Sequence, residues 1–285
     1  MQFFAPAKIN LTLHITGKRE DGYHLLDSLV VFLDFGDELT VTDADETSLE
    51  LRGAYADLIS AEDNLVLRAV RLLQSSFGVA RQVRITLKKN IPVGAGLGGG
   101  SADAAATLRA LNQHWRLGLA MTELARLGAE LGSDVPACVL SRPVWLSGVG
   151  DTLEPAVLDY KSFLLLAYPA MALPTVSVYR AFSALQPPVS RPDTLVDEEA
   201  LLGYLARARN DLTSAAVSLC PAVGVLLNAL AETKGTQLVR MSGSGAACFA
   251  LYRSMQEAEA AQQQLSARFM NYWFQPCRMV AHGQA

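Results

Sequence analysis

The sequence predicts an α+β protein with largely antiparallel sheets, on three observations. Strand-like alternation begins at the first residues and turns back on itself before Phe35. Helical and strand-like patterns then mix irregularly, without the β–α–β order of a parallel sheet. No repeat period indicates a solenoid or propeller.

Each element follows from its local pattern. Residues 1–15 alternate as a strand, with Phe3, Ala5, Ala7, Ile9, Leu11 and Leu13 on one face. The opposite face carries Lys8, Asn10, Thr12 and His14, unusually polar for a strand entering a core. Gly17 to Gly22 reads as a hairpin loop, Tyr23 to Phe35 as a second strand, and Glu38 to Thr42 and Ser48 to Arg52 as shorter strands. Asp63-Asn64 caps a helix to Phe77 that buries Leu65, Ala69, Leu72 and Leu73. A strand over Gln82 to Lys88 leads into a glycine-rich loop, then helices over Ser101 to Trp115, with Ser101 as N-cap, and Met121 to Leu131, closed by Gly132. Val139 to Leu146 reads as extended. The pattern loosens over Gly148 to Leu158, which divides the chain into domains of residues 1–155 and 156–285.

The second half opens with a strand over Phe163 to Tyr168. Helices follow at Thr175 to Leu185, Glu198 to Arg207, Leu212 to Ser218 and Ala222 to Thr233. The end reads as strand (Thr236 to Arg240), turn (Ser242 to Gly245), strand (Ala247 to Tyr252), helix (Met255 to Phe269) and strand (Tyr272 to Val280).

Composition narrows the function classes. The 285 residues are 51% hydrophobic and 18% charged, a soluble globular balance. A net charge of −4 without a block of Lys and Arg argues against a nucleic-acid surface, so an anionic ligand needs local donors. Cys138, Cys220, Cys248 and Cys277 form no C-x-x-C pair and sit among apolar or small residues, as buried thiols in a reducing compartment do. Lys8 interrupts the first apolar stretch and no cleavage pattern follows, so the expected location is cytoplasmic, with no membrane span.

The most informative stretch is Pro92-Val93-Gly94-Ala95-Gly96-Leu97-Gly98-Gly99-Gly100-Ser101. Five glycines in seven positions remove the Cβ atoms that would hold a polyanion off the main chain, and permit the positive-φ turns that aim amides into one concavity. An Ala-rich helix follows directly, and a helix N-terminus favours phosphate. A flexible linker would instead be padded with polar residues.

Gly94-x-Gly96-x-x-Gly99 also fits a dinucleotide fingerprint, which makes an NAD-dependent oxidoreductase one alternative. That site needs an acid ending a second strand, whereas Glu123 and Glu130 fall inside a helix. Walker A fails because no Lys follows Gly100. The G-x-S-x-G elbow is absent, and the four histidines lack zinc spacing.

Three ordered segments carry a resemblance. Pro92 to Ala102 is similar to the central signature of the GHMP kinases, the superfamily of galactokinase, homoserine kinase, mevalonate kinase and phosphomevalonate kinase. Met241-Ser242-Gly243-Ser244-Gly245-Ala246-Ala247 resembles its C-terminal glycine motif, and Pro6-Ala7-Lys8-Ile9-Asn10-Leu11 its N-terminal strand. Ala5 to Leu11, Gly17 to His24, Leu131-Gly132-Ser133-Asp134-Val135-Pro136 and Gly148-Val149-Gly150 look most like members acting on a cytidine-diphosphate-linked methylerythritol. The resemblance spans nearly the whole chain and is weakest between Ser183 and Ala222.

That resemblance implies an N-terminal half like ribosomal protein S5 domain 2 and a ferredoxin-like α/β sandwich in the C-terminal half, with the site between. It implies an ATP-dependent kinase that phosphorylates the 2-hydroxyl of its substrate for non-mevalonate isoprenoid synthesis. ATP would lie on residues Pro92 to Ala102, including Ser101. By itself Asp134 reads as a turn residue bonding its own backbone; the resemblance gives this position the family's catalytic Asp. Lys8 alone reads as a strand-edge lysine; the resemblance makes it the catalytic partner. Asn10 would reach the alcohol or that pair. Tyr23 and His24 would bind the cytosine, Lys89 would meet a phosphate, and Thr175 would touch substrate from the second half. Ala102 stands where many relatives place a second Ser, and Ala95 replaces a further glycine. Mg²⁺ is expected on chemical grounds with its protein ligands unassigned. Another kinase of the superfamily and a catalytically silent nucleotide-binding module remain as alternatives.

Overall fold

A computed structural model describes residues 1–62, 64–158 and 162–280. Asp63, expected beside Asn64 at a helix start, lies outside the described residues. Strands β1 (Gln2–Asn10), β2 (His14–Lys18), β3 (His24–Ala44), β4 (Ser48–Gly53), β5 (Gln82–Lys89), β6 (Val144–Gly148) and β7 (Thr152–Pro155) make up the N-terminal part of the sheet. Helices α1 (Leu65–Phe77), α2 (Gly99–Trp115), α3 (Met121–Gly128) and α4 (Val135–Leu140) accompany them. Strands β8 (Phe163–Tyr168), β9 (Leu238–Met241), β10 (Cys248–Tyr252) and β11 (Trp273–Val280) belong to the second half. So do helices α5 (Thr175–Ala181), α6 (Glu198–Arg207), α7 (Thr213–Leu219), α8 (Pro221–Ala231) and α9 (Met255–Arg268).

The long strand β3 organises the first half. One edge takes β2 and β1, the other takes β6, β11 and β5, all antiparallel. Among the described pairs of strands only β4 on β5 is parallel, beside two isolated parallel bridges, Leu13 with Asn210 and Leu158 with Leu195. The order β11-β8-β10-β9, with helices between β8 and β9 and α9 between β10 and β11, is the split β-α-β ferredoxin-like arrangement. Because β11 pairs with both β3 and β8, a single mixed sheet runs through both halves. The division expected at residue 155 falls at the end of β7.

Several elements depart from the sequence reading. The first strand breaks at Leu11–Leu13, and its register shifts between Pro6 and Lys8, a bulge that re-aims the lysine. All four residues of its polar face are buried. The strands expected either side of Gly36 are one: the backbones cross so closely there that a Cβ on Gly36 would lie 2.8 Å from Pro6 Cα. Helix α1 is capped by Asn64, whose side chain accepts from Val66 N, but buries Val66, Val70, Ala69 and Leu73 rather than Leu65 and Leu72. Ser101 is not an N-cap; Gly98 holds that position at φ 72, and Gly99 and Gly100 are already helical. Helix α3 ends at Gly128, three residues before the expected Leu131.

The largest error concerns residues 135–146. The stretch read as extended from Val139 is first a helix, α4, started by Pro136 and buried on almost every side, so no amphipathic period betrays it. Extended structure begins only at Val144. In the second half, β8 and α6 match their expected bounds, whereas α5 stops at Ala181. Among the described residues no helix is long and apolar enough to cross a membrane.

Candidate active site

Three elements meet where β1 runs beside the glycine loop. Lys8 N donates to Leu97 O at 2.9 Å, which ties the loop to β1 just past the bulge. The Lys8 ammonium lies 3.1 Å from Asp134 Oδ2 and donates to Asn10 Oδ1 at 3.0 Å. Asp134 occupies the N-cap of α4 yet makes no side-chain cap bond. Its carboxylate therefore does not serve its own backbone, as the turn reading required; it faces the lysine, 37% exposed.

Asn10 fixes this pair to the second half. Its Nδ2 donates to Ser28 Oγ at 2.7 Å, and its main-chain N donates to Ser242 Oγ at 3.1 Å. The turn bearing Ser242 is held in turn by Asn210, whose Nδ2 donates to Met241 O and Gly243 O at 2.8 and 2.7 Å. Thr175, at the start of α5, reaches the same turn through Ser244, 2.9 Å between hydroxyl oxygens.

Two cavities share the junction. A cavity of about 860 Å³ is walled by Lys8, Asn10, Asp134, Tyr23, His24 and Thr175, together with Tyr179, Arg180 and Phe182. A second, of about 300 Å³, is floored by the whole run Pro92 to Gly100 and closed by Ile59, Ser60, Asn64 and Leu65. Gly96 and Gly98 line both. The first main-chain bond of α2 is Ala102 N to Gly98 O, so the amides of Gly99, Gly100 and Ser101 have no partner within the helix. Gly94, Gly96 and Gly98 hold φ of 74, 82 and 72, turning the loop as a concave anion cradle requires. Ser101 and Ala102 stand behind this wall in the first turn, Ala102 fully buried.

Lys89 lines the glycine-loop cavity rather than the large one, bonded to Asp37 and, at 2.6 Å, to Asp103, with all three buried. Burial opposes its charge, but Asp103 and Asp37 outweigh it and raise its pKa. Burial also raises the Asp103 carboxyl well above the usual range, against the pull of Lys89. The lysine is thus committed to two carboxylates and holds β3, β5 and α2 together under the loop.

Electrostatics elsewhere in the cavity follow from burial. The Tyr179 phenol is pushed up to about 12, first by burial and then by the charge of Asp134. The Cys138 thiol, one turn into α4, is pushed up to about 12 by the same two causes, so it stays protonated. His24 is lowered by burial and by Lys18, and its ring packs 5.5 Å from Tyr179 and 5.7 Å from Phe182.

Two family models match this chain, the N-terminal domain of GHMP kinases over residues 64–142 and their C-terminal domain over 197–271. The chain belongs to the GHMP kinases. This GHMP kinase is 45% identical to the 4-diphosphocytidyl-2-C-methyl-D-erythritol kinase of Paramagnetospirillum magneticum, covering 97% of this chain and 98% of that one. It is 47% identical to the enzyme of the same name from Paracoccus denitrificans, over 94% and 93% of the two chains. The crystal structure of a 4-(cytidine 5'-diphospho)-2C-methyl-D-erythritol kinase superposes with a TM-score of 0.79 at 36% identity, over 97% of this chain and 99% of that one.

Sequence reading missed part of the site of this GHMP kinase. Tyr179 and Phe182 stand three apart at the end of α5, a spacing that reads equally well as helix core. Asn210 lies outside any motif, and Ile59, Ser60, Asn64 and Leu65 come from a segment with no chemical signature. The early polar strand face was the available signal for Ser28, which sits across the hairpin from it.

Proposed function

We propose that this chain transfers the γ-phosphoryl group of ATP to the 2-hydroxyl of 4-diphosphocytidyl-2-C-methyl-D-erythritol. One observation carries the reading: the glycine-loop cavity and the aromatic-walled cavity meet at Gly96 and Gly98, with Lys8 and Asp134 at the junction. ATP would place its adenosine toward Ile59, Ser60, Asn64 and Leu65 and its phosphates over the free amides at the start of α2. Amides aimed at developing charge are each worth about 3 kcal/mol in a transition state. The cytosine would lie against Tyr23, His24 and Tyr179, with Thr175 reaching the substrate from the second half.

The alcohol oxygen then attacks the γ-phosphorus as the bond to the β–γ bridging oxygen breaks, and ADP departs. Asp134 receives the hydroxyl proton or orients it. Lys8 pairs with Asp134 and offsets charge on the moving group, and Asn10 orients Lys8. Lys89, held by Asp37 and Asp103, lines the glycine-loop cavity and would support the loop under the phosphates.

Mg²⁺ would be carried mainly by the nucleotide phosphates and water, neutralising their charge, with Asp134 the carboxylate that also meets Lys8 at the junction. Among the described residues no cluster of three His, Cys, Asp or Glu forms a separate metal site. We infer a cytoplasmic location from the need for ATP and from four buried free cysteines.

An ATP-consumption assay run in parallel with the cytidyl alcohol, homoserine and mevalonate tests the reading. Turnover is expected with the first alone. Preference for either of the others would remove the assigned acceptor while leaving the family in place.

A further inference from the structure

Helix α2 carries a second charged group, bonded to the strand that bears Lys8 and to the helix that follows Asp134. Arg109 Nη1 donates to Cys138 O at 2.7 Å, to Val139 O at 3.3 Å and to Ser141 Oγ at 2.9 Å. Its Nη2 donates to Phe4 O at 2.9 Å. Among the described residues no carboxylate pairs with it, and every acceptor is a main-chain carbonyl or a hydroxyl. One rigid fork thus joins the helix that follows the glycine loop, the strand of Lys8 and the helix that begins at Asp134.

We propose that Arg109 is a positioning residue that sets where Asp134 stands, and through it the rate of phosphoryl transfer. The geometry of α4 explains the need. Six residues are too few for a helix to hold its own axis, because a first turn is unfavourable to form. The helix ends at Ser141 in a left-handed conformation, φ 44, that a residue with a Cβ resists. Ser141 Oγ donates to Cys138 O at 2.6 Å while accepting from Arg109, so the guanidinium secures that terminus. A cation is also favoured where helix carbonyls point outward. Planar, multiply bonding guanidinium is what this arrangement uses; the point charge of lysine cannot reach all four acceptors. With the far end loose, α4 pivots and the Asp134 carboxylate shifts from Lys8.

The inference rests on the reading of Asp134 as the group at the alcohol, and its test separates the two. Arg109→Lys and Arg109→Met are assayed with Asp134→Ala as control, with kcat, both KM values, ATP affinity by calorimetry and melting temperature for each. Displacing a reacting group by 1 Å costs up to about a hundredfold, so kcat should fall about tenfold or more in Arg109→Lys, with both KM values within about threefold of wild type. If Arg109→Met does not fold, the lysine variant decides. An unchanged kcat in Arg109→Lys beside an inactive Asp134→Ala overturns the proposal, as does a loss confined to KM or melting temperature. Full turnover in Asp134→Ala would instead overturn the reading of Asp134 itself.

Discussion

A Cβ added to Gly98 would lie 2.6 Å from Cγ of Lys8 and 3.1 Å from its Cε. The stem of the lysine rests in the space that the loop leaves bare, so loop and ammonium are positioned by one contact. Gly98→Ala should therefore act twice. The left-handed φ costs about 1–2 kcal/mol of stability for a residue with a Cβ, read by urea denaturation. Displacement of Lys8 should lower kcat by about tenfold or more. Normal turnover in a merely destabilised variant would show that the lysine stem can move aside.

Asp134→Ala should lower kcat by about 10²–10⁴ while ATP still binds, as calorimetry would show. The carboxylate makes no cap bond, so α4 loses little by its removal.

Tyr23 is 67% exposed at the cavity rim, and folding gains little from it. Stacking on a base is worth about 1–3 kcal/mol, so Tyr23→Ala should raise KM for the cytidyl substrate about tenfold and leave KM for ATP unchanged. Equal rises in both would remove the assigned role.

Lys89→Met should be among the most destabilising single changes. It leaves Asp37 and Asp103 buried without their cation, a loss of about 3–5 kcal/mol in denaturant titration. The KM for the alcohol should not follow, because the lysine lines the glycine-loop cavity rather than the large one.

His14 gives a pH dependence of defined sign. Its Nε2 accepts from Arg209 N at 3.2 Å, which requires the neutral ring, and burial followed by Arg209 lowers its pKa from 6.5. The unfolded chain then binds the proton first as pH falls, so stability is lost on acidification from about pH 6.5 downward. His24, lowered by burial and Lys18, adds in the same direction. Melts at pH 7.5 and 5.5 should show this loss, and His14→Gln, which keeps an acceptor, should reduce it.

The legible part of this protein was whatever chemistry imposes on local sequence. A bare loop before a helix, and a lysine on an oddly polar strand face, announced the loop-lined cavity and the lysine beside it. Strand β8 and helix α6 were read to the residue because turn signals bound them on both sides. Helix α4 was missed because burial on nearly all sides erases the amphipathic period. The partners of Lys89 and the role of Arg109 were unreadable for a related reason: Asp37, Phe4 and Cys138 are remote in sequence, and only the folded sheet brings them near.

Strand β11 sits between β3 and β8, though it follows every other described strand along the chain. A ribosome making this polypeptide therefore exposes two unsatisfied strand margins until residues 273–280 have emerged. Joining of the halves through the sheet must then wait for this strand. A nascent chain halted before Trp273 should be the species that chaperones retain and proteases find.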